Sequence, residues 1–428
     1  MSLREALART ILASRDFVGT EQPDDRIVAA LKLTRVCVVA DEANLSTISG
    51  QSAVATLSSL VLQMGCQLRL ALPETEIQGW QPPLHGNELR SGLIDLAGDL
   101  LPGCGAELAT VSAASELVFV LGNTKWNGEA WNAWRLVGDE WVGGLIATCT
   151  AGSVWHAQLP IGGLAAAALG AAEVYKAALR PIASQGVQDQ LALVREVTVR
   201  LGEGSQNAAT YDFGAIDCVS AGAITQSFAH ALFRVPGVRG SIRVIEPGLL
   251  DLTNLNRYSV SRRSRLGAHK TQLIRDYAPA TISISESRHL ADVSNMSALG
   301  SFREQVIIGT DDIPSRWYVQ SYRPRWLAVG ATSHFLAVAS EHEPGFACAR
   351  CMHPRDDDVR AEIPTVSFTS YWGGLMLAAR LLRRTVGVRC QTGKQALWLP
   401  SLQLAGQFAQ HSHHVPFLDG CGCVVQSR

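Results

Sequence analysis

Hydrophobic positions along the chain fall into two alternating patterns. Short apolar runs, RVCVVAD (35–41), QLRLALPE (67–74) and ELVFVLGNT (116–124), predict buried strands. Between the first two lies QSAVATLSSLVLQMG (51–65), long enough and apolar enough for a buried helix. WVGGLIATCT (141–150) and SVWHAQL (153–159) are expected to be further strands, followed by an Ala-rich helix ending near Arg180 and Pro181. The plan then repeats: AIDCVSAG (215–222) strand, ITQSFAHALFRVPGV (224–238) helix, SIRVIEP (241–247) strand and REQVIIGTDD (303–312) strand. WLAVGATS (326–333) and FLAVASEH (335–342) read as a strand pair, and SYWGGLMLAARLLRR (370–384) as a helix. Strand–helix–strand alternation with short breaks predicts α/β architecture, with mostly parallel sheets covered by helices. A chain of 428 residues exceeds the ~150 typical of one domain. Two related domains are expected, 1–190 and 191–428.

Charge narrows the function classes. With 37 basic and 38 acidic residues the formal charge is -1, so nothing draws the whole chain to nucleic acid or to an anionic membrane. The longest weakly polar run, LPIGGLAAAALGAAEV (159–174), is shorter than the ~20 residues a membrane span needs and is expected inside protein. The stretch MSLREALARTILASRDF lacks the apolar core and cleavage site of a secretory signal, so a cytoplasmic protein is expected. Its ten cysteines are then reduced thiols, metal ligands or nucleophiles rather than disulfides.

Candidate chemistry is concentrated in the second half. VSAGAITQ (219–226) follows a strand, where a glycine-rich turn would let backbone approach a phosphate at a helix N-terminus. Only Gly222 remains there, with Ser220 and Thr225 in the flanking slots of a GxGxxG pattern. A plain strand-to-helix turn fits equally. Glu246, at the end of the next strand, adds a carboxylate able to bind ribose hydroxyls. TNLNR (253–257), LGAHK (266–270) and TDD (310–312) then supply Asn, Arg, Lys and Asp, the residue types that neutralise phosphate charge and hold magnesium. A dehydrogenase has no use for that set.

The ordered motifs TNLNR, LGAHK, GTDDIPSR and CARCMHP resemble the ubiquitin-activating enzyme family, which includes the bacterial adenylyltransferases that activate sulfur-carrier proteins. The likeness covers roughly 216–384. It implies two Rossmann-like adenylation-type domains, the first inactive and the second active, and adenylation of the C-terminal glycine of a ubiquitin-like protein with ATP and Mg2+. By that resemblance Gly222 lies at the nucleotide turn, Glu246 holds ribose, and Asn254 and Arg257 hold phosphates. Lys270 serves the α- and β-phosphate region and Asp311 the magnesium. Arg15, in SRD, would reach the ATP from the other unit, with Arg9 as its rival. The family's second carboxylate, two residues past the ribose-binding one, is replaced here by Gly248.

Cys348 and Cys351 have knuckle spacing, and Cys421 and Cys423 in the tail complete a set of four thiolates suited to structural Zn2+. His411, His413 and His414 are alternative ligands. The segment after the knuckle, where many relatives carry a thioester-forming cysteine, has none; Cys390 is the only cysteine after the ATP motifs outside the four, and a structural role is expected for it. The acyl group would then pass to a conjugating-type enzyme or another acceptor. The layout resembles activating enzymes of bacterial ubiquitin-like conjugation operons, some linked to antiviral defence. An adenylyltransferase for a peptide or sulfur carrier without a thioester, and a pseudoenzyme scaffold, are the other readings. Pairing of two chains as a homodimer is left open.

Overall fold

The computed structural model describes residues 2–109, 117–128, 132–203, 208–354, 363–391, 393–404, 410–421 and 423. Two sheets organise them. The first contains β1 (Arg35–Val39), β2 (Gln67–Ala71), β3 (Ala106–Leu108), β4 (Leu117–Leu121), β5 (Ala133–Gly138), β6 (Val142–Ala147) and β7 (Val197–Arg200), in the order β3-β2-β1-β4-β5-β6-β7. The second contains β8 (Tyr211–Val219), β9 (Val238–Ile245), β10 (Ile282–Ser287), β11 (Gln305–Ile308), β12 (Trp326–Ser333), β13 (Leu336–His342), β14 (Ala396–Pro400) and β15 (His411–His413), in the order β10-β9-β8-β11-β12-β13-β14-β15. In both, the first five strands are parallel and the remainder antiparallel. The repeated strand order is the repeat of elements expected from the sequence.

Two expectations need correction. SVWHAQL forms no strand: Trp155 and Leu159 are its buried anchors within irregular backbone, and the antiparallel strand after β5 is Val142–Ala147. A division at 190/191 would also cut β7 away from the sheet it completes, since Val142–Leu145 pair with Val197–Arg200. The first sheet therefore runs to Arg200.

Four long apolar helices form the middle of the molecule: Ile48–Gln63, Ile161–Leu179, Ala223–Leu232 and Ser367–Thr385. The first two come from the first unit and the last two from the second. Nearly every residue in them is buried, as expected of helices that touch protein on all sides. A single continuous apolar core runs through both units. Polar ties cross the same seam. Arg262 donates to Pro83 O at 2.8 and 3.1 Å and pairs with Asp95 at 2.7 Å; Gln63 donates to Tyr258 O at 2.9 Å; Trp80 donates to Tyr277 O at 2.7 Å.

One of these ties reaches the candidate site directly. Asn256, fully buried, donates from Nδ2 to Thr10 Oγ1 at 3.0 Å, linking TNLNR to the helix Ala8–Val18. Asn256→Ala should leave the Thr10 hydroxyl without this partner and lower stability by about 1–3 kcal/mol, read as a fall in the urea midpoint with an unchanged slope.

Candidate functional site

Strand order reverses at β8: β9 and β10 lie on one side of it, β11 and β12 on the other. Open α/β sheets bind ligands at such a switch point, beyond the carboxyl ends of the strands. Three candidate residues lie at that end of the sheet because each follows one of the central strands: Gly222 after β8, Glu246 after β9 and Asp311 after β11.

The turn after β8 has the geometry of a glycine turn with few glycines. Ser220, in the first glycine slot, adopts φ 84°, a left-handed conformation uncommon outside glycine. Its hydroxyl accepts from Gly222 N at 2.9 Å and donates to Glu246 Oε2 at 3.3 Å. Glu246 Oε2 also accepts from Ala221 N at 3.1 Å, and Oε1 accepts from Gly248 N at 2.9 Å. Gly222 caps the helix Ala223–Leu232 in a tight spot: a methyl added there would meet Ser220 Oγ at 3.1 Å and the Tyr258 hydroxyl at 3.8 Å.

In the third slot Thr225 replaces glycine, and the close approach is made from the strand side instead. A methyl on Gly309, just past β11, would lie 2.4 Å from Thr225 Oγ1. Gly309→Ala should therefore push the helix start away from β11 and destabilise by about 1–3 kcal/mol. Adding Thr225→Ala should restore most of the lost melting temperature.

Lys270 enters from the other side. Its backbone N donates to Gly248 O at 3.0 Å, fixing the start of the helix Lys270–Asp276 against the loop after β9. Its ammonium lies 4.0 Å from Glu246 Oε1 and 5.6 Å from the centre of the Tyr258 ring. Burial disfavours the ammonium, but Tyr258 and Glu246 outweigh it and hold its pKa above the ordinary lysine value. A methyl at Gly248 would meet Glu246 Oε1 at 2.6 Å and Lys270 Nζ at 3.0 Å. The missing second carboxylate is thus matched by a spot already filled by Lys270.

Asn254 and Arg257 lie in the loop before Tyr258. Asn254 Oδ1 accepts from Asp251 N at 3.0 Å and, with Asp251, forms a capping box, so this side chain shapes the loop. Arg257 donates to Asn256 Oδ1 at 2.9 Å, and its guanidinium lies 5.4 Å from the Tyr258 ring centre. Tyr258, absent from the sequence-derived candidates, stands between both cations and the Gly222 turn. Its position next to Arg257 in NRY was the only available signal.

Asp311 is exposed, while its neighbour Asp312 caps the helix Ile313–Ser321 by accepting from Ser315 N at 2.8 Å. The buried Arg316 donates to Thr310 O at 2.6 and 3.1 Å; burial draws its pKa down to about 10, against the pull of Asp311 and Asp312. Asp311 is the carboxylate of this turn with no such structural duty among these bonds. Arg15 is not brought to the cluster: it pairs with Asp24 at 2.7 Å within the N-terminal helices. Its rival Arg9 adjoins Thr10, the partner of Asn256, and donates to Ile363 O at 3.4 Å.

The equivalent crevice of the first sheet, between β1 and β4, is filled by protein. Asn44 Nδ2 donates to Asp41 Oδ1 at 2.8 Å, Asn123 Oδ1 at 2.9 Å and Thr124 Oγ1 at 3.2 Å, and its Oδ1 accepts from Trp155 N at 3.1 Å. A methyl on Gly122 would meet Asn44 Oδ1 at 2.3 Å.

Cys348, Cys351, Cys421 and Cys423 converge, with all four sulfurs within 4.8 Å of one another and closest pairs at 3.3, 3.4 and 3.7 Å. Tetrahedral zinc with Zn–S of about 2.3 Å sets sulfurs about 3.8 Å apart, so the thiol set fits such an ion. Leu418 N donates to Cys351 Sγ at 3.3 Å, an outer contact that suits a thiolate. His413 stacks on Trp398 instead. Cys390 is buried, and burial, reinforced by Glu341, pushes its thiol up to about 12. Among the described residues no helix is long and apolar enough to cross a membrane.

No protein-family model matches the chain. A curated relative, uncharacterized protein y4jF of Sinorhizobium fredii, is 28% identical over 221 residues, covering 50% of this chain and 42% of that protein. Among solved structures, E. coli MccB with AMPCPP and MccA is 16% identical with a TM-score of 0.41, covering 49% of this chain and 66% of that one. E. coli MccB with ATP is 16% identical with a TM-score of 0.39 over the same shares. The chain thus spans less than half of the curated relative's length.

Proposed function

We propose that the second unit adenylylates the C-terminal carboxylate of a small protein or peptide, and specifically of a ubiquitin-like protein ending in glycine. The observation that carries this reading is the convergence of Glu246, Lys270 and the Gly222 turn at one switch point, with Asp311 following the adjoining strand. In the reaction the substrate carboxylate attacks the α-phosphorus of ATP, and the bond from that phosphorus to the bridging oxygen breaks. Pyrophosphate leaves, and a mixed anhydride with AMP remains. Lys270 and Arg257 offset the negative charge that builds on the phosphoryl oxygens. Glu246 accepts three hydrogen bonds from the protein, and a carboxylate has about four acceptor sites, which leaves room for a ribose hydroxyl. Asp311 would hold Mg2+, which supplies charge neutralisation on the phosphates when bound. The four cysteines would hold Zn2+ as a structural ion. With its own crevice plugged, the first unit serves as the inactive partner that braces TNLNR through Thr10.

Transfer onward goes to an acceptor outside the chain, a conjugating-type enzyme in the ubiquitin-like reading. The burial of Cys390 favours this, and it equally favours a second reading in which a peptide or sulfur carrier is adenylylated with no thioester at any stage. We place the protein in a bacterial ubiquitin-like conjugation system on the likeness of its layout.

ATP/pyrophosphate exchange with the purified chain and a β-grasp carrier ending in glycine tests the reaction. Exchange that depends on the carrier's terminal glycine supports it. Exchange that is absent with both carrier proteins and free C-terminal peptides sinks it, and exchange with peptides alone selects the second reading.

A further inference from the structure

In the first sheet β6 and β7 pair over only part of their length. The register runs from Val142↔Arg200 to Leu145↔Val197, and beyond it the strands part, although Ala147 stays paired with Trp134 of β5 on its other side. An open cavity of about 570 Å³ lies beside this gap, lined by Ala147, by Trp134 and by the segment 192–195 that leads into β7. Trp134 is near the amino-terminal start of β5, whereas the plugged crevice lies at the carboxyl ends of β1 and β4. The cavity shares no residue with either crevice.

One wall is held firmly from behind. Trp134 Nε1 donates to Val194 O at 2.7 Å, Val194 N donates to Glu173 Oε2 at 2.9 Å, and Lys176 Nζ donates to Ala192 O at 3.0 Å. Glu173 and Lys176 are themselves a buried ion pair at 2.8 Å. Such a pair is costly to bury unless its remaining hydrogen-bonding capacity is used, and here part of it fixes the backbone of this wall. The charge on the walls is one-sided. Arg180 and Arg195 are both exposed, and neither side chain has a hydrogen bond or an ion pair among the described residues. No carboxylate lines the cavity with them, while Trp134 and Leu193 supply apolar surface and Thr148 a neutral hydroxyl.

We infer that this cavity binds an organic anion with an apolar body, its carboxylate or phosphate head met by Arg180 and Arg195 and its body lying against Trp134 and Leu193. Pockets for small molecules commonly measure about 300–1,000 Å³ and combine apolar lining with a few polar groups that orient the ligand. Guanidinium groups match the oxygen geometry of both heads.

Isothermal titration calorimetry of the full chain with octanoate, octyl phosphate and uncharged 1-octanol tests this, for the parent, Arg180→Gln/Arg195→Gln and Lys270→Ala. Lys270→Ala reports an anion acting through the candidate site of the second unit. Both arginines are exposed, so the double variant keeps its fold. The expected result is saturable binding of one octanoate or octyl phosphate per chain, unchanged in Lys270→Ala and weakened about tenfold or more in the double variant. The parent should bind 1-octanol at least about tenfold less tightly than the better anion, and the better anion identifies the head. Saturable binding of neither anion, 1-octanol bound as tightly as the anions, an affinity undiminished in the double variant, or one lost in Lys270→Ala would overturn the inference.

Discussion

Lys270→Ala is expected to slow ATP/pyrophosphate exchange by about 100- to 1,000-fold, a loss of about 3–4 kcal/mol of transition-state stabilisation, while melting temperature changes little. The two readouts separate because of how the site is built. Glu246 is held by Ser220, Ala221 N and Gly248 N and not by the lysine, which stands 4.0 Å away, so the turn survives the substitution. What is lost is the ammonium beside Glu246 and Tyr258. Arginine should restore little, because Gly248 and Glu246 already crowd Nζ and a longer planar group has no room there. Since the ammonium is held above the ordinary lysine pKa, its charge is complete across neutral and mildly alkaline pH. Any fall in exchange between about pH 7 and 9 must then come from another group. Exchange unchanged in Lys270→Ala would remove the lysine from the mechanism.

Cys351→Ala should abolish stoichiometric zinc, measured by metal analysis of the purified chain, and remove several kcal/mol of stability. That is a large share of the ~5–15 kcal/mol total of a typical protein. The effect should reach the candidate site, because the knuckle is fastened to the helix that follows Asp311. Ala349 N donates to Gln320 Oε1 at 3.0 Å, Trp317 Nε1 donates to His353 O at 2.9 Å, and Arg350 lies 5.2 Å from the Trp317 ring centre. A chelator should therefore lower both melting temperature and carrier-dependent exchange, and added zinc should restore both. A metal-free chain with parental stability would count against a structural ion.

Much of the fold was legible because its central strands are apolar on both faces. RVCVV, LVFVL and QVII need little context to be read as buried parallel strands, SIRVI alternates with Ser241 and Arg243 on one face, and the residues that follow several of their carboxyl ends define the candidate site. Strands at or near the sheet edges were harder. In ISISES (β10) the burial alternates, and AWRLVG (β5) has an arginine at its centre that donates to the Gly122 and Thr124 carbonyls. SVWHAQL misled because one tryptophan spaced among apolar residues mimics a strand, while its use is to pack beside Asn44. Long-range partners were beyond reach of local pattern: nothing near Asn256 points to Thr10, and nothing near Thr225 points to Gly309. By its sequence the turn keeps one glycine of the GxGxxG pattern. In space it is a different division of labour, with Ser220 adopting the glycine conformation and Gly309 providing the close approach.

The plugged crevice of the first unit makes the two halves of this molecule unequal. In a symmetric pair each half would gain rigidity only while its ligand was bound. Here one half carries a permanent internal ligand, assembled from Asn44, Asn123, Thr124 and the Trp155 backbone, which can neither dissociate nor be competed away. On the proposed function, occupancy would then vary only in the second half, against a neighbour whose own crevice is closed by its side chains.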